Sequence, residues 1–141
     1  MPMSRLLTYV LTVGLMAAVL RVNAAEEQVS PVTVPGAMTV DAAAAKVLFD
    51  QGAVFVDTRT DADWEAGRIP AAVHLELKKV LSEAMLSTVV QKDQAMVFYC
   101  NGPKCMRSSE GAAMAAAWGF TKVYYFREGY PAWKAAGYAI E

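Results

Sequence analysis

The sequence predicts a single α/β domain built on a parallel sheet with helices on both faces. Short apolar runs alternate with helical segments along the chain, as in "AVFVD" (53–57), "QAMVFY" (94–99) and "KVYYF" (122–126). Strands that alternate with helices build parallel sheets. These runs are continuously apolar, the pattern of strands covered on both faces. At 141 residues the chain is one domain's worth of protein, large enough to hold a core without covalent staples.

The elements follow in order. "MPMSRLLTYVLTVGLMAAVLRVNAAEE" opens with Arg5, runs apolar from Leu6 to Leu20 and ends in Val22-Asn23-Ala24. A basic start, an apolar middle and a small-x-small end are the marks of a secretory signal peptide, read over residues 1–24. An uncleaved anchor is the alternative, but the run is shorter than the roughly 20 residues of a spanning helix and carries Thr8, Thr12 and Gly14. Residues 25–37, with Pro31, Pro35 and Gly36, read as an extended lead-in. The domain proper is placed at 38–141.

Asp41 is a good N-cap and Gly52 a natural stop for a helix over 42–51. The strand at 53–57 precedes a short helix capped by Thr60 and stopped by Gly67 and Pro70. "AVHL" (72–75) reads as a strand. Residues 80–90 read as a helix with Leu81, Met85 and Val89 on its apolar face. After the strand at 94–99, "SSEGAAMAAAWGF" reads as a helix capped by Ser108 and ended by Gly119. Its Gly111 points to close approach to the sheet. The strand at 122–126 and a short helix in "YPAWKAAG" finish the chain.

Charge narrows the partners. Loss of Arg5 and Arg21 with the leader leaves 11 basic side chains against 14 acidic ones, in a mature chain of about 117 residues. Nothing here is basic enough for nucleic acid, and no polybasic block marks a lipid surface. The predicted localisation is export to the periplasm, with no stable membrane association after cleavage. That compartment tolerates disulfides.

Both cysteines lie in one turn, "YCNGPKCMRSS", between a strand and a helix. The spacing admits a structural disulfide, a pair of metal ligands, or a reactive thiol with a neighbour. Metal binding fails on count, since two thiols and the single His74 do not make a tetrahedral set. No cofactor is expected either. His74 alternates with apolar neighbours and reads as a satisfied strand residue rather than a catalytic base. Cys100 sits at a strand's carboxyl end, where sites form in parallel sheets. It also precedes a helix N-terminus, which favours the thiolate. Gly102 lets the backbone curl, while Lys104 and Arg107 add positive charge, so the turn reads as a cradle for a small anion beside a sulfur nucleophile. A nucleophile that is already ionised needs no histidine, and sulfur transfer from an anionic donor is such chemistry. The plainer reading is a buried, inert thiol.

Three stretches carry a resemblance to a known family. "VFVDTRTDADWEAGRIPAAVHL" (54–75) resembles the rhodanese pattern of a strand ending in Asp-x-Arg, then Gly-His-Ile-Pro-Gly-Ala. "VYYFREGYPAWKAAGY" (123–138) resembles its closing Gly-Gly-x-x-x-Trp-x-x-x-Gly segment. Between them a strand ends in Tyr-Cys, followed by a loop, Arg-Ser and an alanine-rich helix. The resemblance spans about 38–140 and implies a rhodanese-like domain of about five parallel strands flanked by helices. It implies that Cys100 attacks the outer sulfur of a thiosulfate-like donor, expels sulfite and becomes a persulfide. A thiol or cyanide acceptor then takes the sulfur. On that basis the amides from Asn101 and Gly102 onward hold the persulfide's charge, Lys104 and Arg107 hold the donor's sulfonate, and Asp57 and Arg59 support the loops. An ordinary strand-end ion pair is the plainer account of Asp57 and Arg59.

This chain departs from the pattern. Arg107 follows Cys100 by seven positions where the family arginine follows by five, and Pro103 removes one backbone donor. Arg68 replaces the Gly-His-Ile-Pro histidine and is either a further anion contact or a solvated surface residue. Related phosphatases wrap an oxyanion with Cys-x5-Arg, and this chain has Cys-x6-Arg. Cys105 lies within reach of Cys100 and is read as a resolving thiol that attacks the Cys100 persulfide. A thiol–disulfide redox protein using the Cys100/Cys105 pair, with a redox partner protein, is the alternative function. A binding module with incidental cysteines is the third.

Overall fold

The computed structural model describes residues 28–141, so the leader read over 1–24 lies outside the described residues. Ten elements follow one another: β1 (Ala37–Thr39), α1 (Ala42–Asp50), β2 (Val54–Asp57), α2 (Asp61–Ala66), β3 (Val73–His74), α3 (Glu83–Val89), β4 (Met96–Tyr99), α4 (Arg107–Ala117), β5 (Val123–Phe126) and α5 (Gly129–Ala135). The strands form one parallel sheet in the order β1-β5-β4-β2-β3. This is the α/β, about five-stranded architecture expected from the sequence.

The continuous apolar runs divide between the two faces by alternation. Val56, Met96, Phe98, Val123 and Tyr125 face a core closed by α3 and α4, with Leu86, Val90, Ala112, Ala115 and Phe120. Phe55, Val97, Tyr99 and Phe126 face the other core, with Ala45 of α1 and Tyr130 and Trp133 of α5. Alternate residues thus enter opposite cores, so the strands need no polar face. Gly111 of α4 lets that helix settle on β4, since a Cβ there would lie 2.9 Å from the Phe98 ring and 3.2 Å from the Thr58 methyl.

Caps set most helix starts. Asp41 accepts a hydrogen bond from the Ala44 N–H (2.8 Å), and Thr60 accepts one from Asp63 (3.3 Å). Two helices differ from expectation. α3 starts at Glu83 rather than 80, because Ser82 caps it through the Met85 N–H (3.1 Å). That phase buries Leu86, with Leu81 and Val90 flanking it, and leaves Met85 42% exposed, so Met85 is not on the core face. α4 starts at Arg107 with Met106 at its N-cap and no side-chain cap, so Ser108 is not the cap; it lies inside the helix, fully buried. The loop before α4 is already wound into a turn, Cys105 N–H to Gly102 C=O at 3.0 Å, and runs straight into the helix.

The described part of the lead-in is bound to the domain. Val34 is buried in the α3/α4 core, and Ala37–Thr39 pair with Val123–Tyr125 as the edge strand β1. Three residues after a Pro-Gly turn give too short a period to read as a strand. Among the described residues no helix is long and apolar enough to cross a membrane.

Candidate active site

The carboxyl ends of β2 and β4 meet at the loop that holds both cysteines. Cys100 directly follows Tyr99 of β4 and is 1% exposed. Its carbonyl accepts the Tyr130 N–H (2.8 Å), so the first turn of α5 holds the cysteine's main chain in place. Cys100 and Cys105 form a disulfide with their Cα atoms 6.2 Å apart. Cys105 is partly exposed, next to exposed Lys104, and Gly102 is buried beneath the turn. In this oxidised form both sulfurs are occupied, and the Cys105 amide is used within the loop.

Below the loop lies a buried polar network. Arg59 and Asp57 pair through Nη2 and Oδ2 (2.7 Å), with side chains 3% and 0% exposed. Arg59 Nε also donates to both Asp57 oxygens, and the Arg59 amide donates to Oδ1. Tyr99 donates its hydroxyl to Asp57 Oδ2 (2.7 Å) and accepts the Ile69 N–H. Arg59 also donates to the Gly67 carbonyl (2.6 Å) and to Asn101 Oδ1 (3.2 Å), and lies over the Tyr130 ring. Asn101 in turn donates to Asp63 (2.9 Å). Burial, then the Asp57 charge, pushes the Tyr99 hydroxyl far above its ordinary value. For Arg59 burial pulls downward, but its bonds and charge pairing with Asp57 outweigh it and raise the guanidinium. Because it is buried, this pair differs from the exposed strand-end ion pair that was the plainer sequence reading.

Arg107 opens α4 with its guanidinium turned to a carboxylate. Its Nη1 donates to Glu76 Oε1 and, at 3.4 Å, to the Thr58 carbonyl. Glu76 Oε2 accepts the Lys79 N–H (2.7 Å). The pair ties the start of α4 to the ends of β2 and β3. Burial pushes the Glu76 carboxyl up, but the bonds from Arg107 and from the Lys79 and Lys78 amides prevail, leaving it below the ordinary value. A lowered folded-state value stabilises the fold above the ordinary carboxyl range, and the contribution is lost as pH falls through the lowered value. Glu76→Gln is therefore expected to cost stability at pH 7 and progressively less toward pH 3. Urea midpoints across that range check it. A constant difference would contradict the pairing.

The other predicted residues fall into place around this centre. Arg68 stacks on Trp64, donates to its carbonyl (3.2 Å) and pairs with Glu141 at 3.6 Å, so its described contacts are with α2 and the chain end. His74 also stacks on the Trp64 ring and bonds the Arg59 carbonyl at 2.8 Å. Above the loop, Ser30 donates its N–H to the Pro103 carbonyl (2.7 Å), while Arg127 holds the Ser30 carbonyl. Sequence reasoning missed Glu76 and Ser30, and it gave no role to Tyr99 or Gly129, although both lie in the quoted motifs. A lone acid between Leu75 and Leu77 was a signal for Glu76, since a buried carboxylate needs a cation. Among the described residues no group of three or more His, Cys, Asp or Glu gathers to hold a metal ion.

Fold and loop together define a single-domain α/β protein with a cysteine at the carboxyl end of its central strand. Its residues 41–136 match the family model of the rhodanese-like domain, and the chain belongs to that family. Among solved structures, the BH2092 protein of Bacillus halodurans aligns at 24% identity and TM-score 0.65, over 74% of this chain and 77% of its own. The human single-domain sulfurtransferase TSTD1 aligns at 21% and 0.59, over 70% and 96%. Both share the fold. RPA3614 of Rhodopseudomonas palustris, described as a protein of unknown function and possible tyrosine phosphatase, aligns at 31% and 0.61, over 74% and 85%. Among curated proteins none matches.

Proposed function

We propose that the protein is a sulfurtransferase that carries a sulfane sulfur on Cys100. The supporting observation is the place of Cys100, at the end of β4 and the start of a loop that runs through Lys104 into Arg107 and α4. With the disulfide open, the Cys100 thiolate attacks the outer sulfur of a thiosulfate-like donor. The donor's S–S bond breaks, sulfite leaves with its electron pair, and Cys100 holds a persulfide. A thiol or cyanide acceptor then takes the outer sulfur and restores the thiolate. Lys104 and Arg107 supply positive charge for the donor's sulfonate, with Arg107 shared between that anion and Glu76. Family membership supports the chemistry, and the signal peptide read over residues 1–24 supports a site of action outside the cytoplasm.

A second reading has its own support. The Cys100–Cys105 disulfide suits a thiol–disulfide redox protein, and an oxidising compartment would maintain it. The phosphatase suggestion attached to the R. palustris protein is weaker here, because this chain has Cys-x6-Arg where the related phosphatases wrap the oxyanion with Cys-x5-Arg.

Intact mass separates the readings. The protein is reduced, desalted and exposed to thiosulfate as wild type, Cys100→Ser and Cys105→Ser. The expected result is a gain of one sulfur atom, reversed by cyanide and absent only in Cys100→Ser. No gain in any form, with reversible loss of two hydrogens in wild type, would move the redox reading to first place.

A further inference from the structure

The disulfide has two ends, and they are unequal. Cys100 is 1% exposed, between fully buried Tyr99 and the network that holds Asn101, with its carbonyl bonded to Tyr130 and packed against Gly129. Cys105 is partly exposed, between exposed Lys104 and partly exposed Met106. A thiolate opens a disulfide by attacking one sulfur from the side opposite the other, so access decides which sulfur is attacked. A residue enclosed like Cys100 presents no such side. Cys105 does, beside a cation that draws an incoming thiolate.

We infer that Cys105 is the sulfur through which the oxidised protein is reduced, by an external dithiol that leaves its first sulfur on Cys105 and frees Cys100. The inference rests on the sulfurtransferase reading only in calling freed Cys100 the carrier. In the first step one partner thiolate bonds to Cys105 Sγ, the Cys100–Cys105 bond breaks, and Cys100 departs as thiolate with the bonding pair. In the second step the partner's other thiol loses its proton and attacks the partner sulfur held on Cys105. The partner closes into its own disulfide, and Cys105 leaves and takes up a proton. Two electrons pass from the dithiol to the protein.

The partner's chemistry follows from the same geometry. In the mixed disulfide the freed Cys100 sits five residues from Cys105, in a loop whose fold brings their Cα atoms to 6.2 Å. Its effective concentration favours attack back on Cys105 and expulsion of a monothiol. A dithiol has a second thiol equally close and completes the reduction. The partner class is therefore a dithiol, and the protein's contact with it centres on Lys104, Cys105 and Met106.

The test uses reduced glutathione on the oxidised full chain, with brief exposure, quenching by excess iodoacetamide, and tryptic mass mapping. Cleavage after Lys92, Lys104 and Arg107 puts Cys100 in peptide 93–104 and Cys105 in peptide 105–107. The expected result is glutathione on peptide 105–107 alone and alkylation on peptide 93–104, with one intact mass carrying both additions. Glutathione on Cys100, or equally on both, would overturn the proposal. So would air-oxidised protein that keeps both thiols free, or reduction by dithiothreitol that is no more complete than reduction by glutathione at the same thiol concentration. Thiosulfate is absent from this experiment, so a failure to form persulfide counts against the sulfurtransferase reading and leaves the reduction route standing.

Discussion

Gly129→Ala is expected to destabilise the protein by about 3 kcal/mol, combining left-handed backbone strain with overpacking, and to abolish sulfur loading of Cys100. Gly129 has φ +63°, in the left-handed region. A Cβ there would overlap the Cys100 carbonyl oxygen and lie 2.9 Å from its carbon and 3.2 Å from the Gly102 nitrogen. All three are backbone atoms at the base of the loop that holds both cysteines, and none can yield without moving Cys100 or its neighbour Gly102. The next residue's N–H donates to that same carbonyl (2.8 Å), so relief of the overlap breaks the bond that fixes the cysteine. Gly137→Ala is the control. It shares a positive φ of 78° but meets nothing within 4 Å, so it is expected to lose only about 1 kcal/mol, the strain alone. Urea denaturation of both variants and thiosulfate loading of the reduced proteins check this. Equal losses for the two glycines would show that the contact with Cys100 is unimportant.

That glycine shows where the sequence stops being legible. The alternation of apolar runs with helices was enough for a parallel sheet, because each strand residue needs a core on its own side. Caps were readable where a short polar side chain meets a free amide, as at Asp41 and Thr60. Ser108 failed as a cap because the preceding loop, wound by the Cys105–Gly102 turn and closed by the disulfide, runs into the helix at Arg107, one residue earlier. Met85 failed as a core residue because Ser82 shifted the helix phase.

The site divides in the same way. Cys100 was readable from its position at a strand's end, and Asp57 and Arg59 from the motif they share. Their burial was not readable, since charge gives no hint that Tyr99 and Asn101 will close over it. Arg107 was readable as a cation of the loop, but its engagement by Glu76 depends on a segment 31 residues away. The lead-in was readable as extended chain. Its bond to the Pro103 carbonyl through Ser30 arises only once β1 joins the sheet beside β5.

Asp57→Ala is expected to cost about 3–5 kcal/mol, the usual penalty for removing one partner of a buried ion pair. Four donors lose their acceptor at once: the Arg59 amide, Nε and Nη2, and the Tyr99 hydroxyl. The guanidinium keeps the Gly67 carbonyl and Asn101 as hydrogen-bond partners, but neither carries a compensating charge. Arg59→Met leaves the carboxylate with the Tyr99 hydroxyl and the residue 59 amide, both of which still donate, so its cost is expected at the lower end of that range. The double variant removes both charges. Its loss is expected to fall short of the sum of the single losses by about 2 kcal/mol, the coupling characteristic of contacting charges. The network also holds the residue that follows Cys100, through Arg59 Nη1 and Asn101 Oδ1 (3.2 Å). Arg59→Met is therefore expected to slow sulfur loading of Cys100 even at temperatures where the variant stays folded. Urea unfolding of the four proteins gives the coupling, and time-resolved mass spectrometry after thiosulfate gives the loading rate. Strict additivity would mean that Asp57 and Arg59 act independently, and an unchanged loading rate would separate the network from the loop it touches.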